Sequence, residues 1–387
     1  MTILGLLVAS AMLFAALLLP LAHPALASSN QFLAGMYNET GSTSVTWYTL
    51  SKFGKPLVVA NVSAGSNVSW IALHPSLPVA YAIQESRVGL IGAYTIDAAT
   101  FSFSPLGNAQ SSGGNYPVHA AVHGSGRFLF VANYGGNVAV LPVQADGSLL
   151  PPVQAVDTGY FAHCVVVSPV SRGHVFVVSL SDDSVSQYVF DQRAALLSPN
   201  HFGARMSLPP GTGPRHLLMH PLHPMAFTTD EGNGTTAALV SVCAHDVARG
   251  TLSFLRSRSA LPQGADARGM LPSELILSND ARFLYVSIRD AAGQNDCIAI
   301  FAVLPATSDL ALLANVPVCW CPRSITLVEA GAEVFLVVGC QTDRKIETFF
   351  VDQETGLLTP AAHAAATSDP VAFVGALPPQ QRPLPTQ

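Results

Sequence analysis

Charge is scarce in this sequence. Of 387 residues, 18 are Lys or Arg and 24 are Asp or Glu, leaving a charged content of 11% and a net charge of −6. No basic block is present, which argues against nucleic acid as a partner. Several chemical signatures are missing as well. There is no Gly-x-Ser-x-Gly elbow, no phosphate-cradling glycine loop, no His-Glu-x-x-His and no carboxylate-rich calcium loop. No amphipathic helix is legible after the N-terminal segment. Neither a metal nor another cofactor is expected.

What is present is apolar residues at 49%, together with 30 Gly and 28 Pro. That mixture fits short buried strands joined by tight turns. All-β closed folds run long as single domains, so the length does not demand two. The N-terminus stands apart. Ile3–Leu21 is almost continuously apolar, and Ala25-Leu26-Ala27 supplies the small-x-small pattern of a cleavage site. Residues 1–27 read as a signal peptide, with an uncleaved signal-anchor as the alternative and membrane association only in that case. Export to the secretory pathway agrees with four Asn-x-Ser/Thr triplets at Asn38, Asn61, Asn67 and Asn233, the first three expected on one side of the molecule. Residues 31–376 read as one domain and 377–387 as a loose tail. A monomer is expected.

Six cysteines occur, at 164, 243, 297, 319, 321 and 340. In an oxidising compartment they could form disulfides, but their spacing is not that of a disulfide-stapled mini-domain, and the favoured reading is small buried hydrophobes. Cys319-Trp320-Cys321 is expected on a strand, where its thiols share one face but sit too close along it to pair with each other.

A unit of roughly 50 residues recurs. Each copy has a polar or Pro-led β-run, a turn, and an apolar strand ending in a polar residue. Examples are Pro117–Gly124 with Phe128–Tyr134, Phe161–Pro169 with His174–Ser179, and Pro214–Pro221 with Met225–Glu231. Copies also begin at Asn67, Pro272 and Pro322. A third alternating strand and a Gly turn follow in most copies, giving four strands per unit, the signature of a β-propeller. Six copies are complete. Phe32–Tyr37 and Val45–Thr49 resemble second and third strands, while Asp369–Val374 resembles a lone first strand. Joining the two chain ends yields an all-β, seven-bladed propeller without open sheet edges.

In such a ring the first strands line a central channel. Their starts carry Ser69, His119, His163, Arg215, Glu274 and Arg323, within one residue of register. The ends of the next strands carry Tyr37, Glu85, Tyr134, Glu231, Arg289 and Gln341. Histidine exchanges protons near neutrality, arginine presents a fork to a carboxylate, phosphate or oxyanion, and aromatics stack on rings. His163, Arg215, Glu231 and Arg289 form the candidate catalytic group. Glu85, His119, Tyr134, Glu274, Arg323 and Gln341 form the surrounding substrate-binding set. His216 follows Arg215 on a strand and is expected to face away as a structural hydrogen-bonder. His74, His123, His220 and His223 are expected in turns, without chemical roles.

Three stretches carry a resemblance: Val131-Ala-Asn-Tyr-Gly-Gly-Asn-Val138, Gly211-Thr-Gly-Pro-Arg-His216 with Glu231, and Tyr285-Val-Ser-Ile-Arg289. With them the sequence resembles the lactonase family of seven-bladed propellers, which includes 6-phosphogluconolactonases and carboxy-cis,cis-muconate cyclases. The resemblance covers nearly all of the mature chain. It implies that the family's histidine, arginine, glutamate and arginine fall on His163, Arg215, Glu231 and Arg289. The sequence departs from the family pattern at Ser179–Asp183, Asp230, Ile288 and Cys340. The function implied is cofactor-independent hydrolysis of a small anionic lactone, a sugar acid or other acidic lactone, with His163 held by Glu231 or acting with it. The rival readings are cycloisomerisation of a carboxymuconate-type dicarboxylate and a binding propeller without catalysis.

Overall fold

The computed structural model describes residues 30–38, 44–171, 173–232 and 238–377. The N-terminal apolar run, the Asn233 triplet and residues 378–387 lie outside that set. Among the described residues there is no α-helix; a single 3₁₀ turn, Pro305–Thr307, interrupts thirty strands. No helix among them is long and apolar enough to cross a membrane.

The strands form seven sheets, each built on a four-stranded antiparallel path. In chain order the inner strands of blades 1 to 6 are Val68–Leu73, Pro117–Val122, Ala162–Val167, Pro214–Met219, Met270–Leu277 and Pro322–Ala330. Blade 7 takes its inner strand, Val371–Ala376, from the C-terminus. That strand pairs with Gln31–Met36, followed outward by Val45–Leu50 and Pro56–Val62. The expected joining of the two chain ends is thus borne out. The closure leaves no inner edge exposed. Leu377, expected to start a loose tail, is buried, and its amide donates to the Gln31 carbonyl.

The apolar runs are near-continuous because each sheet is covered on both faces. Along Phe128–Asn133, Leu129 and Val131 pack toward blade 1, while Phe130 and Ala132 pack toward blade 3. Successive side chains of a strand point to opposite faces, so an unbroken run feeds two interfaces. The core accordingly divides into seven clusters, one between each pair of neighbouring blades. Polar ties cross the same seams. His74 Nε2 meets the Gly126 carbonyl at 3.0 Å and His220 Nε2 meets that of Ala281 at 3.2 Å, consistent with structural rather than chemical roles.

Near the start of every inner strand the pairing register slips. In blade 4, Pro214 pairs with Asp230 and His216 with Thr229, leaving Arg215 as an extra residue. The same happens at Ser69, Val118, His163, Arg323 and Ala372, and at Ser273-Glu274 in blade 5. Such β-bulges re-aim the side chains beside them.

Two sequence expectations need correction. Cys319–Cys321 is not a strand but the loop between Asp309–Pro317 and Pro322–Ala330. Cys319 forms a disulfide with Cys340 on the neighbouring strand of the same blade, so these two are not merely small hydrophobes. Cys164, Cys243 and Cys297 are free and buried as expected, and Cys321 is free and partly exposed. Asn38 is 4% exposed and its amide donates to the Asp369 carboxylate at 3.1 Å, which makes it a poor glycan acceptor.

Candidate active site

The bulges sort the channel residues into two layers. The extra residues, including His163, Arg215 and Arg323, form the layer toward the mouth. The residues just after them, including Trp70, His119, His216 and Glu274, form the layer beneath. This corrects the expected orientation of His216. Strict alternation would turn it away from Arg215, but the bulge lets both enter the channel.

The lower layer is a plug. The Trp70 ring lies 4.0 Å from His119 and 5.0 Å from Phe373, and His216 packs edge-on to Trp70 at 5.8 Å. His216 Nδ1 donates to Glu274 Oε1 at 2.7 Å, and its Nε2 accepts from Arg215 Nη1 at 3.0 Å, an arrangement that requires a neutral ring. Burial and the Arg215 charge hold the His216 value well below the usual histidine range. Burial, then the neighbouring His216, takes His119 down to about 3. Glu274 is pushed up to about 7 by burial, with Arg215 opposing. Between the layers remains a cavity of about 10 Å³ lined by Trp70, His163, Arg215, Glu274 and Arg323 among others. That is room for roughly one water and no more. The space between the layers is too small for a ring-sized molecule.

At the mouth the charges converge. Glu231 Oε2 lies 3.2 Å from Arg215 Nε and 3.0 Å from Arg289 Nη2. Burial alone would raise the Glu231 carboxyl, but Arg289 and Arg215 together hold it below the usual range. The Arg289 contact is an ion pair rather than an aligned hydrogen bond, and Nε and Nη2 of Arg289 have no hydrogen-bond partner among the described residues. Arg215 is 3% exposed; burial, then repulsion from Arg289 and Arg323, lowers it to about 10. Its Nη1 also donates to the Ser273 carbonyl at 3.1 Å. Across the mouth the Tyr37 hydroxyl donates to Glu85 Oε2 at 2.8 Å, and the Arg323 guanidinium lies 5.2 Å from the Tyr37 ring centroid.

His163 is buried, and its Nδ1 has no hydrogen-bond partner among the described residues. Burial, then the Arg215 charge, drives it well below 6.5, so it is a neutral imidazole at physiological pH. It packs edge-on to Tyr134 at 5.8 Å. No hydrogen bond joins Glu231 to His163 among the described residues; the expected partnership gives way to the stronger pull of two guanidinium groups. Gln341 stands at the rim, its Oε1 3.7 Å from Cys321 Sγ. The structure thus gathers His163, Arg215, Glu231, Arg289, Glu85, Tyr134, Arg323 and Gln341 around the mouth, and sets His119 and Glu274 in the layer below.

Residues in the stretches that depart from the family pattern have physical roles here. Asp183 closes the altered Ser179–Asp183 stretch, and its carboxylate accepts from the amides of Gly211 and Gly213 at 2.7 Å each. It thereby fixes the turn that delivers Arg215. Gly213 has φ 55° there, and a Cβ on it would come within 2.8 Å of the Gly232 amide. Cys340 supplies the disulfide that ties the loop before Arg323. Ile288 is fully buried between blades 4 and 5. Asp230 receives hydroxyls from Thr228 at 2.7 Å and Ser241 at 2.6 Å. A grouping of three potential metal donors, Cys319, Cys340 and Glu347, does exist, but its two sulfurs are bonded to each other and so withdrawn from coordination.

A propeller with this ring of guanidinium, carboxylate and imidazole groups at one mouth defines a class. Residues 31–374 match the family model described as lactonase, 7-bladed beta-propeller. The chain belongs to that lactonase family. It is 32% identical over 257 residues to a 6-phosphogluconolactonase of Pectobacterium carotovorum, covering 66% of this chain and 73% of that one. It is 29% identical over 339 residues to the Bacillus subtilis 6-phosphogluconolactonase, covering 84% and 92% respectively. Among solved structures it superimposes on the periplasmic gluconolactonase of Pseudomonas aeruginosa with a TM-score of 0.78 at 28% identity, covering 88% of this chain and 97% of that one. Family membership supports enzymatic activity, and lactone hydrolysis as its general class.

Proposed function

We propose that the chain hydrolyses an acidic or polyhydroxylated lactone at the channel mouth, without a cofactor. The observation that carries this reading is the Arg215–Glu231–Arg289 cluster beside a neutral, unpartnered His163 nitrogen. The lone pair of that imidazole accepts a proton from water as the water oxygen attacks the lactone carbonyl. Negative charge then develops on the carbonyl oxygen, and the guanidinium groups of Arg215 and Arg289 stabilise it from a largely water-excluded wall. As the ring C–O bond breaks, the imidazolium returns its proton to the departing alkoxide, leaving a hydroxy acid. A depressed His163 value suits this second step, since the imidazolium is then a strong acid. Glu231 holds the two arginines together through its ion pairs and is a positioning residue in this scheme.

The test is acid release from a panel of δ- and γ-lactones by purified protein, with Arg215→Ala as control. Turnover that collapses in the variant supports the reading. Turnover equal to the spontaneous rate on every lactone refutes it. Conversion without uptake of water would mark a cycloisomerase instead.

A further inference from the structure

Beside His163 the mouth wall changes character. Tyr134 and Phe161 stack with centroids 4.5 Å apart at 23°. Backbone bonds fix the pair: the Phe161 amide donates to the Tyr134 carbonyl at 3.1 Å, and that of Leu180 to the Phe161 carbonyl at 3.1 Å. Phe161 has φ 62°, at the position where the next blade carries Gly213. A phenylalanine there is strained, and it is also 39% exposed. Tyr160 is 72% exposed, although its carbonyl is held by the Ser181 hydroxyl. Neither ring contributes to a core cluster. The left-handed backbone is shared by Asn67, Tyr116 and Cys321 at the same place in their blades and belongs to the fold; the apolar exposure of two neighbouring rings is what points to a ligand-facing role.

A cleft of about 450 Å³ opens on the outer side of this stack. Its lining includes Gly135, Gly136, Asn137, Asp157, Gly159 and Tyr160, with a carboxylate and no cation. Two of its glycines are required by close packing: a Cβ on Gly136 would come within 3.3 Å of the Gly159 carbonyl oxygen, and one on Gly159 within 2.0 Å of Asp182 Oδ2. The cleft is tied to the mouth wall through the chain, since Gly135 follows Tyr134 and Phe161 follows Tyr160. A flat C–H face stacks on an aromatic ring, while hydroxyls around its edge donate to carboxylate and carbonyl oxygens. A pyranose offers both, and the volume falls within the roughly 300–1,000 Å³ usual for small-molecule sites.

We infer that this cleft is a subsite for a neutral sugar ring, and that the chain acts on aldonolactones carrying a glycosidically linked second sugar. The inference rests on the mouth being the lactone site. Phe161 and Tyr134 then separate the reacting ring from the sugar in the cleft, and Tyr160 is the platform under that sugar.

The experiment compares glucono-δ-lactone with glucosyl-1,4-glucono-δ-lactone. The disaccharide lactone should show a KM about tenfold lower, and Tyr160→Ala should raise the KM ratio of disaccharide to monosaccharide lactone about tenfold. Phe161→Gly, which relieves the backbone strain while removing the ring, should move the ratio in the same direction. Calorimetric titration with the ring-opened disaccharide acid gives a readout free of turnover, in which Tyr160→Ala should weaken binding about tenfold. Hydrolysis of both lactones with an unmoved ratio and unmoved binding overturns the subsite alone. Hydrolysis of neither, with acid binding intact, overturns the lactonase reading but leaves the sugar subsite standing. Absence of acid binding to the unmodified chain overturns the subsite.

Discussion

The two walls of the mouth are built on opposite principles. Blades 4 to 6 supply charges, with Arg215, Glu231, Arg289 and Arg323 crowded together and held by backbone carbonyls, by one another and by a disulfide. Blades 2 and 3 supply rings, with Tyr134, Phe161 and His163 in contact and Tyr160 beside them. The charged wall suits a transition state that gains negative charge. The aromatic wall suits the ground-state shape of a ring. Binding shared equally between ground and transition states lowers KM without raising kcat, whereas interactions gained only in the transition state raise kcat. The walls should therefore separate in kinetics, with substitutions in blades 4 to 6 read mainly in kcat and those in the aromatic wall read mainly in KM.

The sharpest break of that contrast is Arg215→Ala. In the proposed scheme it removes a guanidinium that stabilises the oxyanion, and it leaves Glu231 with one arginine partner. A fall in kcat of about 10³-fold is expected, equivalent to about 4 kcal/mol of transition-state stabilisation. Arg289→Lys, which keeps a charge but loses the fork, should lower kcat by roughly 10- to 100-fold. An Arg215→Ala variant that loses affinity while keeping kcat would erase the distinction between the walls.

His163 joins the walls, and pH distinguishes its role. Because burial and Arg215 depress its value, the neutral form on which the proposed mechanism depends persists below pH 6.5. The acid limb of kcat/KM should lie below that ordinary value, and His163→Gln should abolish it. An inflection at 6.5 that survives the substitution would assign the limb to another group.

Next in size is the staple behind the charged wall. Cys319–Cys340 closes a loop with a sequence separation of 21 and anchors the segment before Arg323. Its removal by the double substitution to Ala should cost about 3 kcal/mol of stability. Measured by thermal unfolding, this should appear together with a lower kcat on a simple lactone. Loss of stability with kcat intact would show that Arg323 is positioned without the staple.

Much of this was legible in the residues. The run Gly211–His216 with Glu231 marked the charged wall through the family resemblance, and the repeat placed Arg215 and Glu231 at the channel end of their blade. The split seventh blade followed from strand fragments at both ends. What period-two reading could not supply was the bulge: it assumes uninterrupted pairing, so it turned His216 away from the channel and put His119 and Glu274 level with His163. Nor could it find the disulfide, since Cys319 and Cys340 meet only once the second strand of blade 6 returns beside the loop. Trp70 carries no signal in the sequence, and only the ring geometry makes it the plug. Asp183 appeared as part of a degraded motif, and its role is visible only in the two amides it accepts from.

The smallest predicted effect concerns Asp230, which adjoins Glu231 at the back of the charged wall. It is buried, and burial pushes its carboxyl up to about 8, against the Ser241 and Thr228 hydroxyls that favour the charged form. The folded value lies above the ordinary 3.8. The folded chain therefore retains a proton that the unfolded chain releases, and the stability contributed by this group is lost as pH rises through that interval toward 8. Asparagine fits the same contacts: its oxygen accepts from Thr228, its nitrogen donates to the Ser241 oxygen, and Ser241 can turn its proton to Ser257 Oγ, 3.0 Å away. Asp230→Asn should raise stability by about 1–3 kcal/mol more at pH 9 than at pH 5, where only the first part of the interval above 3.8 has been crossed. Thermal unfolding at both pH values checks this. A gain equal at the two pH values would mean that packing rather than a buried charge sets the difference. Loss of stability at both would mean that the acid is held by a partner stronger than the two hydroxyls.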